Sequence, residues 1–212
     1  MVRRMGEDGF KASQIAHQMD AHIAPINKFV DSLQSRDGRG WVPKVAPMHG
    51  GVDALVLTVL SDPGKATQGD EGSGFLCVEN RDPTAANQCR LLEAHGIPPR
   101  SVLPWNAYPW FIDRPPNAEQ KKAGAEVLCE LIDIAQSLRV ILLQGKQATD
   151  VWKRVLKLRP TLVADRQLAV AESIHPSPNA LRTPDRRERQ ARLDRQQLAF
   201  EMVAQTLANQ PV

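Results

Sequence analysis

The chain has 212 residues, 42% of them apolar and 24% charged, and a formal net charge of +3. This length and apolar content favour one hydrophobic core, so we expect a single domain over residues 1–212. The longest apolar runs, such as 54–57 and 140–143, are far shorter than the roughly 20 residues of a membrane span. No apolar signal segment follows the first residues, so we expect a cytoplasmic protein without membrane contact.

Hydrophobic periodicity and helix-capping signals predict helices that alternate with strands. In chain order, the predicted helices are 11–35, with a bend at Pro25, then 82–96, 117–138, 147–158 and a basic C-terminal helix at 183–208. The predicted strands are 54–60, 101–105, 139–143 and 168–174. This alternation indicates an α/β fold class, with a central four-stranded parallel sheet in a three-layer α/β/α arrangement.

Three of the four predicted strands end in polar motifs. These are Asp62-Pro63-Gly64 after the first strand, Asn106 after the second, and His175-Pro176-Ser177-Pro178 after the fourth. Ligands of parallel α/β sheets bind beyond the carboxyl ends of the strands, so we expect the three loops to converge on one site. The sequence contains neither GxxxxGKS/T nor GxGxxG, which argues against an unrelated nucleotide-binding enzyme.

The order and spacing of these motifs resemble those of the uracil-DNA glycosylase superfamily, whose members flip a base out of DNA and hydrolyse its N-glycosidic bond. Further points of resemblance are Gly74-Phe75, Trp105-Asn106 and residues 140–148, which resemble the superfamily's penultimate strand, glycine and helix start. The resemblance covers residues 52–181. It implies a uracil-DNA glycosylase-like catalytic core there, preceded by the N-terminal helix and followed by the basic helix.

The chemistry of base release explains the residue types. Departure of a pyrimidine from deoxyribose leaves positive charge on the sugar and negative charge on the base, so a carboxylate near C1′ and a donor near O2 both stabilise the transition state. By resemblance, Asp62 is the carboxylate and neutral His175 is the donor. Asn106 would bind the Watson–Crick edge of the base, Phe75 would stack on its ring, and Ser61 would contact it.

The predicted pocket differs from that of the best-known uracil enzymes beside C5 of the base. Those enzymes have tyrosine at the position of Gly64, and the tyrosine fills the space beside C5. Glycine leaves this space open, so uracil and a C5-enlarged cytosine, such as the glucosylated hydroxymethylcytosine of bacteriophage DNA, remain alternative substrates. Asn80, Asp82 and Asn87 either line the pocket mouth or cap the following helix, with capping favoured for Asp82.

The sequence predicts no metal and no cofactor. Its three cysteines, Cys77, Cys89 and Cys129, are widely separated, which favours reduced thiols over a disulfide framework. Branches of the superfamily with an iron–sulfur cluster carry four cysteines, including a close N-terminal pair that this chain lacks. His17 and His22 are five residues apart in a predicted helix, so they do not share a face as two metal ligands would.

The positive charge is concentrated in residues 182–195. This segment has six arginines and three acidic residues, so it accounts for the whole net charge. It either contacts DNA phosphates or forms a solvated helix face with ion pairs, and the resemblance favours the DNA contact. By the same resemblance, the predicted DNA contacts are Ser177 on a phosphate, Leu181 or Arg182 inserted into the duplex, and Lys65 and Arg186 on the backbone.

These features predict a DNA glycosylase that acts as a monomer on DNA containing a modified or deaminated pyrimidine. The enzyme is expected to be monofunctional, because no lysine occupies a recognised position for Schiff-base attack on C1′. The alternative is a catalytically silent relative that binds DNA without releasing a base. The two possibilities differ in base release and share the same fold.

Overall fold

A parallel four-stranded sheet organises the computed structural model, which describes residues 3–68 and 72–209. The strands of the described residues are β1 (Lys44–Val45), β2 (Val56–Leu60), β3 (Phe75–Leu76), β4 (Val102–Asn106), β5 (Val140–Gln144) and β6 (Ala169–Ser173). The main sheet has the order β4-β2-β5-β6, and every neighbouring pair is parallel. A separate parallel pair joins β1 to β3. The predicted α/β class with a four-stranded parallel sheet is therefore confirmed.

Helices cover both faces of the main sheet. In the described residues they are α1 (Asp8–Ala16), α2 (Ala24–Leu33), α3 (Pro83–Ala94), α4 (Ala118–Ile134), α5 (Lys146–Leu158), α6 (Leu162–Asp165) and α7 (Arg186–Ala208). One face packs against α2, α4 and α5 through a cluster that includes Leu57, Trp105 and Leu143. The other packs against α3 and α7 through a cluster that includes Val56 and Phe200. Within residues 3–68 and 72–209, no helix combines the length and apolar character that crossing a membrane requires.

The N-terminal segment forms two helices, so the prediction of one helix over 11–35 is wrong. The first helix ends at Ala16 and the second begins at Ala24, with Pro25 in the first turn of α2. A proline inside a helix lacks an N–H donor and clashes with the carbonyl four residues earlier, whereas the first turn tolerates it. The chain therefore turns between two helices instead of bending within one.

Aspartate side chains cap the starts of two helices. Oδ1 of Asp82 accepts hydrogen bonds from the N–H groups of Thr84 and Ala85, both at 2.9 Å, which confirms the capping interpretation for Asp82. The C-terminal helix begins at Arg186 and is capped by Asp185. Its predicted start at 183 is therefore three residues too early, because the cap lies beyond the Thr-Pro pair.

Candidate active site

A cavity of about 300 Å³ opens at the carboxyl ends of β2 and β4. Its walls come from the loop after β2, the end of β4, the segment after β3, the first half of α3 and the loop after β6. Asp62, Asn106 and His175 all line it. Three motifs that are far apart in the sequence therefore meet at the edge of the sheet where ligands of parallel α/β folds bind.

Backbone pairing holds Asp62 and Asn106 on neighbouring strand ends. Leu60 pairs with Asn106 in the β2–β4 ladder. Beyond the ladder, the N–H of Tyr108 donates to the carbonyl of Ser61 at 3.0 Å. The pairing thus continues to the residue before Asp62, so both loops leave the sheet in fixed positions.

Asp62 is half-buried in the cavity wall. Burial raises the pKa of its carboxyl, and the nearby Asp113 carboxylate raises this pKa further, while hydrogen bonds from the Ser61 side chain and the Arg114 backbone act in the opposite direction. A partly desolvated carboxylate attracts a nearby positive charge more strongly than a carboxylate in bulk water does. Asp62 can therefore stabilise a cation that forms in the cavity.

Two neighbouring segments position His175. Gly145, directly after β5, has a φ of +94°, and a Cβ atom there would lie 3.1 Å from Cβ of His175. The N–H of Gly145 donates to the carbonyl of Ser173 at 2.8 Å. From α3, Nδ2 of Asn87 donates to the carbonyl of Pro176 at 2.8 Å. Glycine is required at position 145 for both the backbone conformation and the close approach to His175.

The surroundings of His175 define its protonation state. The backbone N–H of Ser177 donates to Nδ1 at 3.1 Å, so Nδ1 is an acceptor and the neutral ring carries its proton on Nε2. Burial lowers the pKa of His175, and the Asp82 carboxylate opposes that shift. The ring is therefore a neutral imidazole near pH 7, and Nε2–H is its remaining donor.

Three buried amide side chains with an unpaired atom line the cavity. Asn80, Gln88 and Asn106 are exposed by 3%, 3% and 2%, and all three contribute to the cavity wall. Among residues 3–68 and 72–209, no group forms a hydrogen bond with Oδ1 of Asn80, Nε2 of Gln88 or Nδ2 of Asn106. Buried polar atoms in folded proteins almost always have a partner.

The sequence prediction missed Gln88. This residue lies on α3 between the buried residues Ala85 and Leu91, and its Oε1 accepts a hydrogen bond from Nε2 of Gln144 at 2.6 Å. The bond joins α3 to the end of β5. The sequence signal was a polar residue inside the buried stripe of an amphipathic helix.

The structure does not bring Phe75 to the cavity. The Phe75 side chain is 4% exposed and packs in a small cluster with Met5, Ala46 and Cys77. Of the neighbouring residues, Leu76 lines the cavity, because successive residues of a strand point to opposite sides. The apolar wall of the cavity therefore includes Leu60, Leu76 and Val78, and the predicted stacking ring lies elsewhere.

Ser61 and Gly64 line the cavity, as the resemblance implies, and Lys65 lies near its mouth. Gly64 is exposed, and a Cβ atom there would meet nothing within 4 Å. The side of the cavity next to Gly64 is therefore open. Nζ of Lys65 forms an ion pair with Asp113 at 2.9 Å, with both side chains largely exposed, so the pair contributes little to stability.

The other predicted DNA-contact residues lie in the loop between β6 and α7. Ser177 and Leu181 are half-buried at the two ends of a short 3-10 turn, and Arg182 follows as an exposed residue. Arg186 is exposed at the first position of α7. All four follow the cavity residue His175 in the chain, with Ser177 two residues after it and Arg186 eleven residues after it.

The arginines of residues 182–195 fall into two groups. Arg192 donates to the carbonyl of Ala180 at 2.8 Å and pairs with Glu188 at 2.6 Å, and Arg195 pairs with Glu172 at 3.5 Å. The other four are exposed and form no salt bridge with any described residue; they are Arg182, Arg186, Arg187 and Arg189. The segment therefore combines internal ion pairs with an exposed cationic surface.

The three cysteines are free thiols. Cys77 is buried, and Cys89 and Cys129 are half-buried. Burial raises the pKa of Cys77 to about 12 and also raises the pKa of the other two thiols. Among residues 3–68 and 72–209, no group of three or more His, Cys, Asp or Glu side chains is placed to hold a metal ion. That the protein uses no metal or cofactor stays a prediction.

The chain matches a known protein family. The model of the Uracil DNA glycosylase superfamily matches residues 49–198, a range that includes the main sheet and all the walls of the cavity. The chain therefore belongs to the uracil DNA glycosylase superfamily, whose members are in general DNA glycosylases, hydrolases that act on DNA in base excision. No curated protein matches the chain.

Proposed function

We propose that this protein is a monofunctional DNA glycosylase that flips a non-standard pyrimidine out of DNA and hydrolyses its N-glycosidic bond, leaving an abasic site. The observation that supports this most strongly is the meeting of Asp62, Asn106 and a neutral His175 in one cavity. Membership of the superfamily supports the same activity.

In the proposed reaction, the bond between C1′ and the base nitrogen breaks, and its electron pair leaves with the base. The Nε2–H group of His175 donates to O2 of the departing base and stabilises the negative charge there. The carboxylate of Asp62 stabilises the positive charge on the sugar and orients a water molecule. The water oxygen forms the new bond to C1′, and its proton passes to solvent by way of Asp62.

The cavity wall around Asn106 would bind the flipped base. The amide of Asn106 offers an acceptor and two donors in one plane, which suits the Watson–Crick edge of a pyrimidine. Ser61 contributes a polar group from the neighbouring strand end, and the apolar side chains of Leu76 and Val78 would contact the ring. This apolar contact replaces the stacking role that the resemblance assigns to Phe75.

The open side of the cavity supports a base with a substituent on C5. The cavity of about 300 Å³ is a cleft open to solvent, so its volume includes the mouth as well as the space around a base. The open side at Gly64 leaves room for a group on C5. The proposed substrates are uracil, in a repair role, and a C5-enlarged cytosine such as glucosylated hydroxymethylcytosine of phage DNA, in an antiviral role.

The surface next to the cavity would bind the DNA backbone. Ser177 would contact a phosphate through its hydroxyl group, since its N–H already donates to His175. Leu181 or Arg182 would enter the space that the flipped base leaves. Lys65 and Arg186 would contact phosphates on either side, because cationic side chains bind the backbone without regard to sequence.

The experiment that tests this proposal measures abasic-site formation on duplexes that contain uracil, hydroxymethylcytosine or glucosylated hydroxymethylcytosine. The expected result is release of one of these bases and no release from a duplex of standard bases. Salt-sensitive binding without release of any base would replace the proposal with the catalytically silent relative. Trapping of a covalent enzyme–DNA adduct by borohydride would contradict the monofunctional mechanism.

A further inference from the structure

Asn87 holds the loop that carries His175 from outside the cavity. It lies on α3, is half-buried and does not belong to the cavity walls. Its Nδ2 donates to the carbonyl of Pro176 at 2.8 Å. Its Oδ1 accepts from Nε and Nη2 of Arg90, at 3.2 and 2.8 Å. A carbonyl only accepts and a guanidinium only donates, so the two contacts together allow the Asn87 amide one orientation.

The carbonyl that Asn87 holds belongs to the same peptide that contacts the His175 ring. This peptide joins Pro176 to Ser177, and its N–H donates to Nδ1 of His175 at 3.1 Å. The peptide is trans, and a trans peptide is planar, with its C=O and N–H pointing in opposite directions. The contact that holds the carbonyl therefore also directs the N–H at the ring. A hydrogen bond to the carbonyl further polarises the peptide, which makes its N–H a stronger donor.

We propose that Asn87, oriented by Arg90, is a positioning residue that keeps the proton of the neutral His175 ring on Nε2. With its N–H towards the ring, the peptide between Pro176 and Ser177 requires Nδ1 to be an acceptor. The same peptide turned by half a rotation would present its carbonyl and favour a proton on Nδ1, so that Nε2 would have no proton to donate. The contact with Asn87 opposes that rotation. The inference rests on the proposed function, in which Nε2–H of His175 donates to the departing base.

NMR chemical shifts of the histidine ring nitrogens test the inference without any reaction, because protonated and unprotonated nitrogens give well-separated signals. The chain has five histidines, and the spectrum of His175→Ala identifies the signals of His175. At about pH 8, where a histidine ring is neutral, we expect the wild type to show a protonated Nε2 and an unprotonated Nδ1. Asn87→Asp should show a substantial fraction of the opposite tautomer, since a carboxylate does not donate to the Pro176 carbonyl and repels it.

Asn87→Asp has a matched control in Gln34→Glu. Gln34 directly follows α2 and is also half-buried. Its Nε2 donates to the carbonyl of Val42 at 2.7 Å, and its Oε1 accepts from the N–H of Val42 at 3.1 Å. Both substitutions replace an amide that donates to a backbone carbonyl with a carboxylate of the same shape. Gln34→Glu should leave the signals of His175 unchanged.

Arg90→Ala provides a graded comparison. This variant removes the group that orients the Asn87 amide and keeps the amide itself. Arg90 is exposed, so its loss should disturb the fold little. We expect the signals of His175 to show the opposite tautomer in a smaller fraction than in Asn87→Asp.

The rate of base release gives a second readout. Asn87→Asp should lower kcat about tenfold, the factor that one hydrogen bond of ordinary strength supports, because fewer molecules carry the donor that the reaction requires. KM should stay close to the wild-type value, because Asn87 lies outside the cavity walls and acts through His175. Turnover at a series of duplex concentrations measures both quantities.

The outcomes distinguish this inference from the proposed function. Wild-type signals of His175 in Asn87→Asp, or an equal change in Gln34→Glu, would overturn the role of Asn87 and leave the glycosylase in place. A changed tautomer with an unchanged kcat would overturn the proposed role of His175 instead. Failure of the wild type to release a base from any duplex would overturn the glycosylase, and the spectra would still decide the role of Asn87. Should Asn87→Asp not fold, the spectrum of Arg90→Ala decides in its place.

Discussion

The two faces of the main sheet come from the same strands but serve different purposes. Trp105 and Leu143 belong to the apolar cluster beneath α2, α4 and α5. The next residue along each strand lies on the side of α3, where Asn106 lines the cavity and Gln144 bonds to Gln88. Because side chains alternate between faces, a step of one residue along β5 separates Leu143, which packs in the core, from Gln144, which supports the cavity wall. On β4, Trp105 packs in the core and also lines the cavity. Substitutions on the two faces should therefore separate stability from activity.

The largest expected effect is on the cavity side of the sheet. Asp62→Asn should lower kcat by about 10³-fold, because it removes the negative charge that stabilises the sugar cation, and His175→Ala should lower kcat by about 10²-fold. Single-turnover base release measures both. The thermal midpoint of Asp62→Asn should match the wild type, since asparagine has the same shape. Unchanged turnover in both variants would contradict the mechanism.

Substitutions on the opposite face of the sheet should lower the stability of the fold and leave base release unchanged. Leu143 is fully buried beneath α5, so Leu143→Ala should lower the free energy of unfolding by about 3 kcal/mol, through lost apolar contact and the cavity left behind. Base release per folded molecule should stay at the wild-type level. Urea unfolding measures the free energy of unfolding, and active-site titration measures base release per folded molecule. Leu198 is 64% exposed, and Leu198→Ala should change the free energy of unfolding by less than about 0.5 kcal/mol.

A buried histidine should make the stability of the fold depend on pH. His49 accepts a hydrogen bond from the N–H of Val78 at Nε2, and its Nδ1 lies 3.3 Å from the carbonyl of Pro99, so the neutral ring satisfies both contacts. Burial lowers the pKa of His49 from 6.5 to about 4. Between these values the unfolded chain binds a proton and the folded chain does not, so stability falls as the pH falls. The expected loss is about 3 kcal/mol by pH 4.

Urea unfolding at a series of pH values checks this expectation. His49→Gln provides the comparison, because glutamine also accepts from the Val78 N–H and does not titrate. The difference between the two proteins should grow as the pH is lowered from 6.5 towards 4. Parallel curves for wild type and variant over that range would show that His49 does not carry the effect.

The sequence was informative where short motifs follow long strands. Asp62 and His175 follow five-residue strands of the main sheet, so both the fold class and the meeting of these residues could be predicted from pattern and motif. The placement of Phe75 could not, because β3 is two residues long and pairs with the equally short β1. A pattern of two residues does not reveal which side of a strand faces a cavity.

The sequence named Asn80 and Asn106 as candidate pocket residues, and both line the cavity, but it revealed neither Gln88 nor the hydrogen bonds of these amides. Nδ2 of Asn80 donates to the Phe75 carbonyl, and Gln88 accepts from Gln144, which is 56 residues away. Both contacts depend on how α3 packs against the sheet. A single sequence shows which residues are polar, but it does not show which of them become buried without a partner.

A substitution at Gly145 should affect both base release and stability, and each effect should be smaller than those described above. Gly145→Ala would place a methyl group 3.1 Å from Cβ of His175 at a φ of +94°, so the His175 loop must shift. We expect kcat to fall about tenfold and the free energy of unfolding to fall by about 1 kcal/mol. Gly9→Ala is the control, since a Cβ atom there has no neighbour within 4 Å. Equal base release by Gly145→Ala and wild type would show that this contact does not position His175.

The smallest expected effect is on DNA binding, where substitutions of two arginines of α7 should differ in the salt dependence of Kd. Arg186 is exposed and would contact a phosphate, so Arg186→Gln should weaken duplex binding a few-fold and reduce the slope of log Kd against log salt by about one. Arg192 already donates to the Ala180 carbonyl and pairs with Glu188. Arg192→Gln should therefore lower the thermal midpoint and leave the salt slope unchanged. Identical salt slopes for wild type and Arg186→Gln would show that the DNA backbone does not contact Arg186. Each phosphate contact releases counterions whatever the base sequence, so the loss of one contact must reduce the slope.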